Sequence, residues 1–383
     1  MGEILVLARR HLVSALRTRA ARIVALIYVV AMLAAIWGPR TETAAGSTLV
    51  LFALVALTLL VYAVASGVGN GLPDDRRSGR VEWLRTTAPP AWKHRAALVV
   101  AGWVLAVLAG VGGGVVAGLA TTMAAPDYAL YDSTDVPLPA DRALLVRRPS
   151  GEQPKGPPLT VVLPEPIGDD GQLELELRPQ FENATHLVDF ADLEWRSDLG
   201  AEGTVHVSVW RAMRLDLPAG TQEVTFQNRT PRVNVRIRQA RILSPSGVPA
   251  LFVITAAGLL LGFMAGAAAP VGVVISRFTT GTTASVAAFL VLLYGSLQGT
   301  LLGLMEGLQI EGAVRYALGL LTVLGWAAPE LPTVPLIAEY ASGRTVGLTL
   351  ASWLPAVLAH TAIVTLFAAV PLPAAWTERK LVQ

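Results

Sequence analysis

Residues 97–123 read ALVVAGWVLAVLAGVGGGVVAGLATTM, a stretch without one Asp, Glu, Lys or Arg. A bilayer core about 30 Å thick takes about 20 apolar residues at 1.5 Å each, so this run is long enough to cross a membrane as a helix. Five more runs qualify, none with an Asp, Lys or Glu at its centre: 21–37, apolar after Arg22, then 48–68, 249–275, 283–305 and 346–371. A further apolar stretch, 312–328, is shorter, carries Arg315 near its start and is followed by Pro329, Glu330, Pro332 and Pro335. It predicts a re-entrant or interfacial helix before the last span. The expected fold is therefore an α-helical polytopic membrane protein with six transmembrane helices.

The composition agrees. Of 383 residues 53% are hydrophobic and only 15% charged, against roughly a quarter charged in a soluble domain, and the mean hydropathy is +0.53. With no Cys in the chain, a disulfide scaffold, a thiolate metal site and a cysteine nucleophile are all excluded.

Ahead of the first run, residues 3–20 place Ile4, Leu5, Leu12 and Leu16 near one helical face and Arg9, Arg10 and Arg17 largely elsewhere. This predicts an amphipathic helix on the membrane surface. The basic region is too long for a signal peptide and no small-residue cleavage site follows Trp37, so the segment is expected to stay on the chain.

Charge sets the orientation. The N-terminal segment, the segment between the second and third runs, the 276–282 turn and the C-terminal tail together hold 14 basic and 5 acidic residues, whereas 127–247 holds 13 basic and 18 acidic. The first set is expected to face the cytoplasm of a cell (inner) membrane, with both termini inside and 127–247 outside. That outer segment is too long for a structureless loop. Its later part alternates with period two at Leu173, Leu175, Leu177, at Val205, Val207, Val209 and at Val233, Val235, Ile237. Turn clusters interrupt it at Gly168-Asp169-Asp170-Gly171 and Pro218-Ala219-Gly220. The pattern predicts a small antiparallel β-sandwich, preceded over 127–158 by an extended, Pro- and Asp-rich lead-in. The domain plan is thus 1–126 (surface helix, three spans and a cytoplasmic loop at 70–95), 127–247 (β-rich, outside) and 248–383 (three spans with the 312–328 segment).

Several chemistries lack their residues. A phosphate-binding P-loop needs Gly-Lys followed by Ser or Thr; the three lysines, Lys93, Lys155 and Lys380, never follow a Gly. The five His are scattered, without a metal-binding spacing. No catalytic, cofactor or metal residue is assigned, and the chain is not expected to be an enzyme. Within the spans the ionisable candidates are His360, read as a packing residue, and Glu306, placed near Glu311 at the outer interface. Gly258, Gly262 and Gly266 share one helix face, and Gly110, Gly112, Gly113, Gly114 and Gly118 crowd the third run. Both sets allow close helix approach, either within the bundle or between subunits.

The cytoplasmic segment Asp74-Asp75-Arg76-Arg77-Ser78-Gly79-Arg80-Val81-Glu82-Trp83-Leu84-Arg85-Thr86-Thr87-Ala88-Pro89-Pro90 reads as a short charged helix with Trp83 and Leu84 as apolar knobs, stopped by two prolines. It resembles the coupling-helix region of ABC-2 type transporter permeases, in which a charged stretch leads into Gly-Thr-Leu-Glu-x-Leu, then Pro, then Lys. Gly79, Glu82, Leu84, Pro89 and Lys93 match that pattern; Arg80 and Val81 stand where Thr and Leu are usual. The N-terminal surface helix is similar to the family's elbow helix. Pro329-Glu330-Leu331 and Ala341-Ser342-Gly343 are similar to its punctuation before the last span. Ala269-Pro270-Val271 resembles an element of the subgroup with an enlarged extracytoplasmic domain between spans three and four.

The resemblance implies a permease subunit of an ABC transporter, an exporter, that pairs with a second copy or a related chain. It also implies a separate ABC ATPase subunit, which would carry the ATP and Mg and would meet Arg76, Arg77, Gly79, Arg80, Glu82, Trp83, Leu84 and Arg85. The other expected partners are the lipid bilayer and an extracytoplasmic partner on the outer domain; no nucleic acid is expected. Two other classes stand beside it. One is a membrane assembly or sensor protein whose outer β-domain binds a ligand or partner. The other is a secondary transporter, which the sparse charge within the spans disfavours.

Overall fold

The structure, a computed structural model, describes residues 2–16, 19–37, 45–67, 91–125, 128, 130–138, 144–145, 158–181, 190–208, 213–228, 233–307, 330–344 and 354–369. The chain divides into two compact units: residues 1–128 with 248–383, and residues 129–247.

The first unit is helical: α1 (Gly2–Leu16), α2 (Arg19–Trp37), α3 (Ala45–Ser66), α4 (Ala91–Ala124), α5 (Ala250–Gly266), α6 (Ala268–Ile275), α7 (Gly281–Gly307), α8 (Thr333–Ala341) and α9 (Leu354–Ala369). Among the described residues four stretches are long and apolar enough to cross a membrane: Thr48–Ser66, Trp92–Ala124, Ala250–Ile275 and Gly281–Gln298. The first and last runs of the sequence appear as α2 and α9, whose apolar parts, Arg22–Ala34 and Val357–Phe367, are shorter. The stretch 250–275 is divided at Ala267 into α5 and α6. Pro270, in the first turn of α6, has no N–H to return to the Gly266 carbonyl, which accounts for the break.

The central element is α4, against which α1, α2, α3, α5, α6 and α9 all pack. Gly118 faces Leu251, Gly114 faces Thr255, Gly110 faces Gly258, and Gly262 and Gly266 face Ala106 and Trp103, so α5 runs antiparallel to α4 along a seam of small residues. A Cβ added to Gly262 would lie 2.6 Å from the Ala106 carbonyl oxygen, and one added to Gly114 would lie 2.9 Å from Thr255 Cα. Backbone-to-backbone approach of this kind replaces side-chain packing where lipid removes the hydrophobic drive between helices. Of the two uses open to the Gly258, Gly262 and Gly266 face, packing within the bundle is therefore the one observed. Buried hydroxyls return to the carbonyl one turn back, Thr58 to Leu54 (2.8 Å) and Thr121 to Ala117 (2.9 Å), so no water is needed to satisfy them.

The second unit has two antiparallel sheets. β1 (Tyr131–Val136), β9 (Val233–Pro245), β4 (Gln172–Phe181) and β7 (Met213–Asp216) pair in that order, and β2 (Leu144–Leu145) also pairs β9. β3 (Leu159–Val162), β8 (Glu223–Asn228), β5 (Phe190–Ser197) and β6 (Glu202–Ser208) form the other sheet. One core joins them: Leu173, Leu175, Leu177, Leu215, Val235 and Ile237 from the first sheet meet Val161, Leu193, Val224 and Phe226 from the second. This is the period-two face expected from the sequence. The 127–158 segment differs from its expected lead-in, because Tyr131–Val136 is a full strand paired to β9 from Tyr131↔Pro245 to Val136↔Ala240. As an edge strand it exposes Asp132, Ser133, Thr134 and Asp135 and buries only Val136, so its sequence carries no apolar alternation.

Candidate functional site

Of the loop at 70–95, residues 68–90 lie outside the described residues, and with them Arg76, Arg77, Gly79, Arg80, Glu82, Trp83, Leu84, Arg85 and Pro89. Lys93 of the matched pattern is placed, in the first turn of α4. There it meets α1. Its ammonium donates to Glu3 Oε2 at 2.7 Å and sits 5.9 Å from the centroid of the Trp92 ring. That hydrogen bond, and then the Lys93 charge, hold the Glu3 carboxyl below the usual carboxylate range. Next to Lys93, the His94 ring meets that of His11, about two turns along α1 from Glu3, edge to face with centroids 4.9 Å apart. Beyond them Ala8 is buried against Ala97 and Ala101, flanked by Ile4 and Leu7.

The docked face of α1 is thus Ile4, Leu7, Ala8 and His11, whereas Leu5 (62% exposed) and Leu16 (54%) point outward. The apolar face expected to lie on the membrane surface, Ile4, Leu5, Leu12 and Leu16, shares only Ile4 with the docked face. Ala8, Ala97 and Ala101 let the two helices approach, and Leu5 and Leu16 stay on the outer face.

A second polar cluster lies inside the bundle. Tyr62 on α3, Ser296 on α7 and Thr333 at the start of α8 join through their hydroxyls: Tyr62 bonds Ser296 directly and Thr333 at 2.8 Å, and Ser296 lies 3.1 Å from Thr333. Ser296 also reaches the Leu292 carbonyl at 2.9 Å. Beside them the Leu331 N–H donates to the Gly295 carbonyl at 2.9 Å. At the other end of α8, the Tyr128 hydroxyl, just beyond the end of α4, donates to the Tyr340 carbonyl. So α8 begins within the bundle, at the buried Thr333, and ends beside the exit of α4. The search of the sequence for ionisable residues passed over this cluster; a Tyr within an apolar run and a Thr directly after Pro332 were its only signals.

The remaining candidates stand apart from both clusters. His360 is half-buried on α9. Glu306 belongs to the last turn of α7, while Glu311, the 312–328 segment and the tail from 370 lie outside the described residues. Arg277, in the turn after α6, donates to the Phe367 carbonyl in the last turn of α9 at 3.2 Å, where a cation suits the helix end. Among the described residues no cluster of three His, Asp or Glu could hold a metal ion. Comparison with family models, with curated proteins and with solved structures gives no match.

Proposed function

We propose that this chain is the membrane-spanning permease subunit of an ATP-binding cassette transporter that works as an exporter. In this reading α2 and α9 cross the membrane with the four longer stretches, giving six spans with both termini in the cytoplasm. The observation that carries the reading is the docking of α1 along the start of α4, where the chain arrives from the charged, Trp83-bearing segment. A rigid α1–α4 pair suits transmission of motion from a cytoplasmic partner into the bundle. The α8 helix, starting inside the bundle after the Pro-rich stretch, suits a re-entrant arrangement before the last span.

The chain pairs with a second copy or a related chain, and two ATPase subunits bind at residues 74–90, chiefly through Trp83, Leu84 and the neighbouring Arg residues, since aromatic and Arg side chains dominate interface energetics. ATP binding closes the ATPase pair and tilts α4 with α1 as one body. The test is purification from the native membrane with identification of what accompanies the chain. A nucleotide-binding subunit should come with it and be lost on Trp83→Ala with Leu84→Ala. Absence of such a subunit, with function unchanged in that variant, overturns the proposal.

One observation favours a different use of the outer unit. Residues 129–247 form a compact unit with a core of their own, as a ligand- or partner-binding module would need. A membrane assembly or sensor protein built on it would keep full function without any ATPase subunit, so the same purification separates the two readings.

A further inference from the structure

The indole Nε1 of Trp103 on α4 is buried and has no hydrogen-bond partner among the described residues. An indole N–H can only donate, and a buried donor left unpaired in a folded chain calls for a reason. The ring lies against Gly266, where an added Cβ would be 2.9 Å from Cε2, the ring atom that carries Nε1. It also meets Phe263 edge to face, with centroids 4.4 Å apart. Gly266 is the last residue of α5, directly before the break at Ala267, and its carbonyl is the one to which Pro270 brings no N–H. A donor without an acceptor thus stands beside a carbonyl whose helical donor is missing, and the two are not bonded to each other.

The break has the form of a joint. The Ala267 N–H closes on the Met264 carbonyl at 3.1 Å, a three-residue closure inside an otherwise four-residue ladder, which is a common mark of a hinge. Beside it α6 buries Ala268, Ala269 and Gly272, small residues that let it pivot on its neighbours. We propose that Ala267 is a hinge with two settings, selected by Trp103. In the setting described above, the ring fills the angle between α5 and α6 with its N–H unspent. In the other, rotation of the backbone at Gly266 and Ala267 turns α6 and re-aims the Gly266 carbonyl, which accepts from Trp103 Nε1. Arg277, in the turn after α6, is tied to the Phe367 carbonyl at 3.2 Å, so the end of α9 travels with α6. The hinge goes beyond the proposed function and does not depend on an ATPase partner.

Because the chain has no Cys, spin labels can be placed uniquely at Ile23→Cys on α2 and Phe278→Cys in the turn after α6, both exposed, in the full-length protein in liposomes. Pulsed dipolar spectroscopy should resolve two distances in the parent protein. Trp103→Phe, which keeps a ring and removes the N–H, should lower the share of the second distance by about fivefold, the worth of one hydrogen bond. Benzothienylalanine at position 103, which has sulfur where indole has N–H, should do the same with the ring's shape retained. Pro270→Ala supplies the missing N–H to the Gly266 carbonyl and should leave one distance; it decides the matter where the Trp103 variants fail to fold. A single distance in the parent protein, or two distances in the parental ratio in either the benzothienylalanine or the Pro270→Ala variant, overturns the proposal.

Discussion

Gly110 and Gly258 face each other backbone to backbone, so that a Cβ on either would collide with the carbonyl of the other. Gly112, two residues along the same helix, meets nothing within 4 Å. The pair makes a controlled experiment. Gly258→Val should separate α4 from α5 and destabilise the bundle by about 1–3 kcal/mol, the usual range for overpacking. Gly112→Ala should be neutral or stabilising by up to ~1 kcal/mol, from helix propensity alone. Titration of the purified protein from mild detergent into SDS, followed by tryptophan fluorescence, would report both. Equal effects would mean that the seam does not hold the bundle.

The Tyr62, Ser296 and Thr333 hydroxyls tie three helices at a point where no water is needed. Tyr62→Phe removes one member and should cost about 0.6–1.7 kcal/mol, the range found for hydrogen bonds between helices in membranes. Thr333→Val should cost a similar amount, and the double variant less than the sum, with a coupling of about 0.5–1.5 kcal/mol. Additive losses in the same SDS titration would show that the two side chains act separately.

The apolar runs and the β alternation were legible because each follows from one repeating requirement, lipid on one side or a core on one face. Leu173, Leu175 and Leu177 alternate since β4 has a single buried face, and all three are buried. What stayed hidden depends on which neighbour arrives. The glycine faces announced close approach without saying to what, and only the placement of α5 against α4 decides it. The docked face of α1 is not legible, because Ala8 weighs little in an apolar pattern, yet it is the residue that admits Ala97 and Ala101. The Tyr62 cluster is hidden for a related reason, in that its members lie far apart in the chain and none carries a charge.

Glu174 shows how residues 129–247 satisfy a buried charge. Its side chain is 3% exposed and accepts from Arg214 Nε at 3.1 Å, while the Tyr131 ring lies 5.5 Å from the Arg214 guanidinium carbon. Arg214→Ala would leave a buried carboxylate without this partner. Such losses reach about 3–5 kcal/mol when fully buried, and because Arg214 is a third exposed the expected cost is nearer ~2 kcal/mol. Glu174→Gln, which keeps an acceptor and removes the charge, should cost ~1 kcal/mol or less. Residues 129–247 expressed alone should unfold cooperatively in urea, and the same titration would rank the two variants; the reverse order would mean that the ion pair contributes nothing beyond its packing.

The Glu3–Lys93 ion pair predicts a pH response at the α1–α4 joint. Hydrogen bonding to Lys93 lowers the Glu3 carboxyl from its ordinary value, so its contribution to docking is complete above the unperturbed pKa of about 4.3 and is lost as pH falls through the lowered value. Glu3 is well exposed, so the contribution is small and should fade as salt rises towards about 1 M, where the screening length is near 3 Å. Spin-label distances between α1 and α4 in Glu3→Gln should therefore match the parent once the pH is below the lowered value and at high salt, and show a slightly smaller docked fraction at pH 7.5 in low salt. Loss of any response to salt in the parent protein would place the holding force in the alanine contact and leave the ion pair without a role in docking.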